Sequence, residues 1–188
     1  LAEEAKAQTE GYKYSTASGR MILRTASGAS SERQFTTQAV EVGDGEDRGM
    51  LVFTYPPDIA RTALLTIGNK SDDDDQWLYL PALKRVKRIS AGGKTGSFVG
   101  SEFSYEDLSA PQIEDYTHLW LREEPCPGHA ELLCDVVERR PKDEDSGYTR
   151  IVSWQDQTNY RSYYAEFYDR KDALLKTLTS YDYKLYKD

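Results

Sequence analysis

The sequence predicts a mainly β (α+β) protein built around one large, strongly curved antiparallel sheet. Short runs rich in β-branched and aromatic residues recur along its 188 residues, and clusters of Gly, Ser, Asp or Pro separate them. Apolar residues at helical spacing are almost absent. Ten or so strands at this spacing are typical of a sheet that curls. A chain of this length fits one domain, so we expect residues 1–188 to form a single domain.

The first half of the chain opens with a helical run and then changes to strands. The alanine-rich stretch Ala2–Glu10 predicts a short helix that stops before Gly11. Strands are predicted at Arg20–Thr25, Arg33–Val42, Met50–Tyr55, Ala63–Gly68, Gln76–Leu80 and Lys84–Ile89. The last two of these strands pair around Pro81.

The second half repeats the strand pattern after two helix starts. Ser104–Asp107 and Ser109–Gln112 both have the form of a capping box, in which a serine precedes an acidic residue or glutamine by three positions. A helix at this point, between the sixth and seventh strands, would cap the concave face of the sheet. Further strands are predicted at Tyr116–Arg122, Glu131–Arg139, Tyr148–Trp154, Arg161–Tyr168 and Leu174–Tyr186.

Two cysteines flank a predicted hairpin connection. Cys126 and Cys134 lie on either side of Pro127, Gly128 and His129. Two free thiols are one reading of this pair. Proximity across a hairpin favours a disulfide, which would indicate an oxidising compartment.

Charge and hydropathy exclude two classes of function. The net charge of −8 argues against a nucleic-acid-binding protein, because phosphate contacts require clustered excess cations. An acidic chain is also repelled by anionic headgroups, and no run approaches the roughly 20 apolar residues that span a bilayer. We therefore expect no stable membrane insertion. The chain starts at Leu1 without a methionine, so we expect a processed form from which a signal peptide has been removed.

The stretch Asp72–Leu108 combines large aromatic residues with acidic and basic runs and glycines. A surface that holds something apolar while staying in water needs this combination. The stretch reads WLYLPALKRVKRI at Trp77–Ile89 and SFVGSEFSYEDL at Ser97–Leu108. With these two motifs the chain resembles the outer-membrane lipoprotein-sorting proteins, the LolA-like group.

The resemblance implies both a fold and a function. The fold would be an incomplete, strongly bent β-barrel with short helices covering its open side, as in LolA and LolB. The function would be that of a periplasmic carrier in a Gram-negative-type bacterium, which binds lipid or lipoprotein acyl chains and shuttles them toward the outer membrane. An inner-membrane exporter and an outer-membrane acceptor would be its partners, and no cofactor is expected.

We expect the ligand to contact the stretch that carries the resemblance. Aromatic and apolar candidates would line or gate the cavity, and two cations of the following strand would meet a lipid phosphate or an acidic partner. The predicted ligand-binding residues are Trp77, Tyr79, Leu83, Phe98, Phe103, Tyr105, Arg85 and Lys87. Ordinary core packing is the competing interpretation for Trp77, and protection of an exposed sheet edge is the competing interpretation for the cations.

No catalytic or metal-binding pattern is found in the sequence. His118 and His129 lack a partner four residues away, and Ala91–Thr95 lacks the first glycine of a phosphate-binding loop. The aspartates of Asp72–Asp75 do not have EF-hand spacing, so a solvated turn is expected there. We expect a carrier and not an enzyme. An accessory module of an exporter complex that binds no lipid is the alternative, and it would require large side chains to fill the inner face of the sheet.

Overall fold

The computed structural model describes residues 1–8, 10–43, 46–69, 74–109 and 112–184. The described chain forms eleven strands that pair in two antiparallel sheets, so the prediction of one large sheet is wrong. The strands are β1 Tyr14–Arg24, β2 Ser30–Val40, β3 Arg48–Tyr55, β4 Ala63–Ile67, β5 Asp75–Leu80, β6 Arg85–Ile89, β7 Tyr116–Cys126, β8 His129–Pro141, β9 Tyr148–Asp156, β10 Ser162–Asp169 and β11 Leu174–Thr179.

The chain folds into two compact units, each with its own sheet and core. One unit comprises residues 10–112 and holds β1 to β6, and the other comprises residues 1–9 and 113–188 and holds β7 to β11. The expected single domain stays a prediction. None of the helices in the described ranges is long and apolar enough to cross a membrane.

The six-stranded sheet runs in chain order from β1 to β6, and every neighbouring pair is antiparallel. Side chains alternate between its two faces. The register places Leu51, Leu64 and Leu78 on one face, which we call the covered face. Trp77 and Tyr79 lie on the opposite face. Burial supports this assignment, because Leu64 and Leu78 are among the core residues of the sheet.

A close contact between β1 and β2 sets the packing at one end of the covered face. Gly19 lies directly opposite Phe35. A Cβ atom on Gly19 would come within 2.3 Å of the Phe35 ring, so only glycine allows the ring to lie flat on this strand. The Phe35 ring in turn packs edge-on against Phe53, with 6.2 Å between the ring centroids.

The five-stranded sheet has the order β11-β10-β9-β8-β7 and is built around a disulfide. Cys126 and Cys134 are bonded to each other and are almost fully buried, with their Cα atoms 5.0 Å apart. Val136, Val152 and Trp154 pack with them in one cluster. The disulfide interpretation is therefore confirmed. Its two cysteines tie β7 to β8 beside the hairpin turn that connects these strands.

The predicted helices are shorter than expected. The N-terminal helix α1 spans Ala2–Ala7. The capping box at Ser104 is present: the Asp107 N–H donates to the Ser104 hydroxyl, and the Ser104 N–H donates to the Asp107 carboxylate. Within the described residues, a single 3₁₀ turn, Glu106–Leu108, follows this cap.

The remaining helical segments are single 3₁₀ turns as well. They lie at Pro81–Leu83, Ala91–Gly93 and Ile113–Asp115, whereas the turn at Phe98–Gly100 is not helical, because Val99 has φ of 49°. The second predicted capping box, Ser109–Gln112, includes residues outside the described ranges. Both sheets are open, because each ends in two edge strands. The strongly curved half-barrel, with helices over its open side, stays a prediction.

Strand boundaries differ most at the two ends of the chain. β1 begins at Tyr14, six residues before its predicted start at Arg20. β11 ends at Thr179 and does not continue to Tyr186 as predicted, within the part of the chain that the structure describes. Asp72 and Asp73, which were expected in a solvated turn, lie outside the described residues.

Replacing both cysteines tests the contribution of the disulfide. The bond closes a loop with a sequence separation of 8 residues. The chain-entropy model gives about 2–3 kcal/mol for a loop of this length. The Cys126→Ala, Cys134→Ala double variant should therefore lose about that much free energy of unfolding in urea. Thiol titration of the denatured, unreduced parent should find no free thiol, and finding two would contradict the structure.

Candidate ligand-binding site

A pocket lies on the covered face of the six-stranded sheet and has a volume of about 290 Å³. Its floor consists of side chains from the three adjacent strands β2, β3 and β4 that point to the same face, namely Thr37, Ala39, Gly49, Leu51, Leu64 and Thr66. Most of these side chains are small, and Gly49 has no atom within 4 Å of the position that a Cβ would take. The pocket exists because the strands carry small residues at adjacent positions.

The segment Gly96–Ser109, which follows β6, lies against the covered face, and we call it the cover segment. Its backbone is irregular, because Val99 has φ of 49° and Gly100 has φ of 72°. A positive φ is unusual for a β-branched residue such as valine. Hydrogen bonds within the segment hold this conformation: the Phe98 N–H donates to the Phe103 carbonyl at 2.7 Å, and the Ser101 hydroxyl donates to the Phe98 carbonyl at 2.8 Å.

Aromatic packing anchors the cover segment to the sheet. Phe98 is only 1% exposed, and its ring stacks on Phe53 of β3 with 5.6 Å between the centroids. Tyr105 packs edge-on against Phe98 with a centroid distance of 5.7 Å. Leu108 joins the same cluster and also lines the pocket. One end of the cover segment therefore forms a wall of the pocket, while Phe98 anchors the segment beside it.

Three side chains of the sheet donate hydrogen bonds to backbone carbonyls of the cover segment. The Arg33 guanidinium on β2 donates to the Val99 carbonyl. The Gln76 amide on β5 donates to the Tyr105 carbonyl at 3.0 Å, and the Thr66 hydroxyl on β4 donates to the Leu108 carbonyl at 3.2 Å. Gln76 and Thr66 are both buried. These bonds satisfy carbonyls that have no strand partner.

Polar residues also contribute to the pocket. Tyr12, Asp47 and Arg48 contribute to its lining. Burial raises the pKa of the Tyr12 phenol, and the carboxylates of Asp47 and Glu41 raise it further. The phenol therefore stays neutral at physiological pH and can donate a hydrogen bond. A mostly apolar lining with a few polar groups is the usual composition of a site for an amphipathic ligand.

The cover segment contains three of the eight predicted ligand-binding residues. Phe98 is a core residue and Tyr105 is half-buried, whereas Phe103 is 38% exposed. None of the three belongs to the pocket lining. They form and hold the cover segment, so they would act on a ligand as a gate that controls its access to the pocket.

The other five predicted residues lie on β5, β6 and the turn between them. Trp77 and Tyr79 point to the opposite face of the sheet from the pocket. Arg85 and Lys87 are on the covered face but at the exposed edge strand, and Leu83 is exposed in the turn. None of these five lines the pocket either. Their part in ligand binding stays a prediction.

Sequence reasoning missed the pocket floor and the Arg33 hydrogen bond. The sequence contained one signal for the floor, since Gly49 lies inside a strand, where glycine often marks a site that a ligand or another backbone approaches. Nothing in the pattern around Arg33 distinguishes it from an ordinary exposed cation. Within the described residues, no group of three or more His, Cys, Asp or Glu side chains could hold a metal ion.

Comparison with known proteins gives one close structural relative. A crystal structure described as an outer membrane lipoprotein-sorting protein domain, from Vibrio parahaemolyticus, is 48% identical to this chain with a TM-score of 0.93. The match covers 98% of this chain and 77% of the other. No curated protein matches the sequence significantly. A family model described as "Uncharacterized protein" matches residues 45–188.

Two further solved structures are similar over most of the chain. A DUF1329 family protein from Desulfovibrio piger is 30% identical with a TM-score of 0.80, and the match covers 92% of this chain and 74% of the other. A LolA superfamily protein from Nitrosomonas europaea is 20% identical with a TM-score of 0.71, and the match covers 98% and 77% of the two chains. The latter similarity concerns the fold alone.

Replacing Gln76 tests the attachment of the cover segment. A Gln76→Met variant keeps the volume but removes one of two donors to the Tyr105 carbonyl, which also accepts from the Leu108 N–H, so the free energy of unfolding should fall by about 0.5–1.5 kcal/mol. Amide hydrogen exchange in residues 97–109 should become faster. Gln34→Met is the matched control, because the Gln34 amide is exposed and bonds only to Glu32 among the described residues. Equal effects of the two changes would contradict the role of Gln76.

Proposed function

Since this chain belongs to the LolA-like family of outer-membrane lipoprotein-sorting proteins, we propose that it is a periplasmic carrier of lipid or lipoprotein acyl chains. It would hold an acyl chain in the pocket on the covered face and shuttle it toward the outer membrane. The observation that carries the proposal is the pocket itself, a mostly apolar cavity on the covered face that Leu108 and Ser109 of the cover segment wall at one end.

The physics of the pocket suits an acyl chain. Burial of each methylene contributes about 0.8 kcal/mol, so a chain of several carbons gains useful affinity without directed chemistry. A volume of about 290 Å³ is at the lower end of the range for ligand sites. A longer chain would therefore displace Leu108 and the rest of the cover segment from the covered face. Binding of the acyl chain and displacement of the cover segment are therefore coupled in this proposal.

The ligand-binding residues that the sequence predicts would have two separate roles in the carrier. Phe98 and Tyr105 hold the closed cover segment against the sheet, and the exposed Phe103 meets the ligand as it enters. Trp77, Tyr79 and Leu83, which lie away from the pocket, would contact the part of the cargo that stays outside.

The open pocket also favours the carrier over the alternative of an accessory module without a lipid of its own. That alternative requires large side chains to fill the covered face, whereas Gly49 and its neighbours leave it partly empty. A carrier needs no nucleophile and no general base, so the lack of a catalytic pattern in the sequence is consistent with the proposal.

The buried disulfide supports an oxidising compartment such as the periplasm. Transfer from an inner-membrane exporter and to an outer-membrane acceptor belongs to the same proposal.

Filling the pocket tests the carrier function directly. In a Gly49→Leu variant the new side chain extends from the floor into open space, so the fold should be retained. We expect the affinity for a dansyl-labelled fatty acid to fall about tenfold or more, since the leucine occupies the volume that the acyl chain would fill. Gly92→Leu is the matched control, because Gly92 lies outside the pocket and also has open space beside it. Equal binding by both variants, with unchanged melting temperatures, would reject the pocket as the site.

Changing Phe103 tests the gate. Phe98 is unsuitable for this purpose, because a polar residue at a position that is 1% exposed would destabilise the core. Phe103 is 38% exposed, so Phe103→Ser should leave the melting temperature nearly unchanged. Stopped-flow fluorescence should show altered rates of fatty-acid uptake and release. Identical rates in the variant and the parent would remove Phe103 from the proposed gate.

A further inference from the structure

We propose that the outer edge of β6 binds an extended acidic segment of a partner protein, which adds to the six-stranded sheet as a further strand. The inference concerns a surface other than the pocket. It goes beyond the carrier function and does not depend on it.

The outer edge of β6 is open. β6 is the last strand of its sheet and pairs only with β5, from Leu80 opposite Arg85 to Gln76 opposite Ile89. Apart from that pairing, residues 85–89 make no backbone–backbone hydrogen bond within the described ranges. The strand is regular, since its register with β5 has no bulge. An unpaired, regular edge offers N–H and C=O groups to an extended peptide.

The charge on this edge is the reverse of the charge on the whole chain. Four of the five residues from Lys84 to Arg88 are cationic, although the net charge of the protein is −8. Arg88 is paired with Asp75 on β5. Lys84, Arg85 and Lys87 have no ion pair among the described residues, and all three side chains are exposed. Unpaired, adjacent cations on an otherwise acidic protein favour an acidic partner.

The register predicts the sequence pattern of the partner strand. Lys87 lies opposite Leu78 and Arg85 lies opposite Leu80, so both cations are on the covered face. Val86 is on the opposite face, beside Tyr79, and it is 64% exposed. A strand paired with β6 would meet a cation, an apolar side chain and a second cation in turn. Its own residues should therefore alternate between acidic and apolar.

Protection against aggregation is the competing explanation of a charged edge strand. β6 carries the charged side chains of such an edge, but it has neither the proline nor the bulge that can also block pairing. The exposed Val86 between the two cations is unfavourable for an edge that has only to repel other strands, whereas it provides an apolar contact for a partner. The free backbone groups further distinguish a peptide from an anionic membrane, which offers no strand to pair with.

The experiment uses a fluorescein-labelled peptide whose core alternates glutamate and valine, and measures its binding by fluorescence anisotropy at low salt. The test variant is Arg85→Gln, Lys87→Gln. The matched control is Arg20→Gln, Arg24→Gln, which removes the same charge from β1, the strand at the other edge of the same sheet. A second peptide carries N-methyl groups on alternate residues, so that it keeps its charge but cannot pair as a strand.

We expect the test variant to bind the peptide roughly threefold to tenfold more weakly than the parent, with the control variant unchanged. The N-methylated peptide should bind poorly to every variant. Circular dichroism should show the same melting temperature for the parent and both double variants. Absence of peptide binding, equal loss in the two variants, or full binding of the N-methylated peptide would overturn the proposal.

Two further measurements separate the alternatives. If the test variant gains self-association in sedimentation velocity while the parent binds no peptide, the cations only protect an edge. If vesicles of phosphatidylglycerol bind through Arg85 and Lys87 and the peptide does not, the surface recognises a membrane and the proposal fails. Displacement of the dansyl-labelled fatty acid by the peptide would contradict the separation of this surface from the pocket.

Discussion

The candidate site depends on hydrogen bonds that satisfy an irregular backbone. The cover segment leaves regular structure at Val99 and Gly100, so the Val99 carbonyl has no partner in a strand ladder. A buried carbonyl without a donor costs about 1–3 kcal/mol. The sheet supplies side-chain donors from three different strands, Arg33, Gln76 and Thr66, and the Tyr105 carbonyl that Gln76 reaches also accepts from the Leu108 N–H. The position of the cover segment is thereby fixed at a few separate points, and the volume of the pocket beneath it is fixed as well.

The free energy of these contacts between the cover segment and the sheet is of the same order as the free energy of burying an acyl chain. Burial of the Phe98 side chain contributes about 1.5–3 kcal/mol, and each neutral hydrogen bond adds a net contribution of only about 0.5–1.5 kcal/mol. Burial of a handful of methylenes is of the same order, at about 0.8 kcal/mol each. An acyl chain of ordinary length could therefore compensate for displacement of the cover segment. A continuous helix packed along the whole face would bury more apolar surface and would be harder to displace.

The sequence predicted the strands better than the segment that connects the two sheets. Strand alternation placed Leu78 and Trp77 on opposite faces, because a period of two is a local property of the chain. The capping box at Ser104 was also correct, but a capping box specifies where a helix starts and not how far it runs. Its length is set by Ser109, which adopts an extended conformation and whose hydroxyl donates to the Glu106 carbonyl at 2.7 Å, ending the turn. The division into two sheets depends on non-local pairing that no local pattern encodes.

The pocket could not be predicted, because it consists of what the side chains leave empty. Sequence reasoning gives weight to large residues and so selected Trp77, Phe98 and Tyr105, yet large residues in a folded chain mostly fill space. Phe98 illustrates this, since it packs against Phe53 as part of the core. Ala39 and Gly49 make the cavity, and they matter only because the register of β2 and β3 places them side by side on one face. Aromatic residues therefore build the cover segment and small residues build the space beside it, a division that becomes visible only when the pairing of the strands is known.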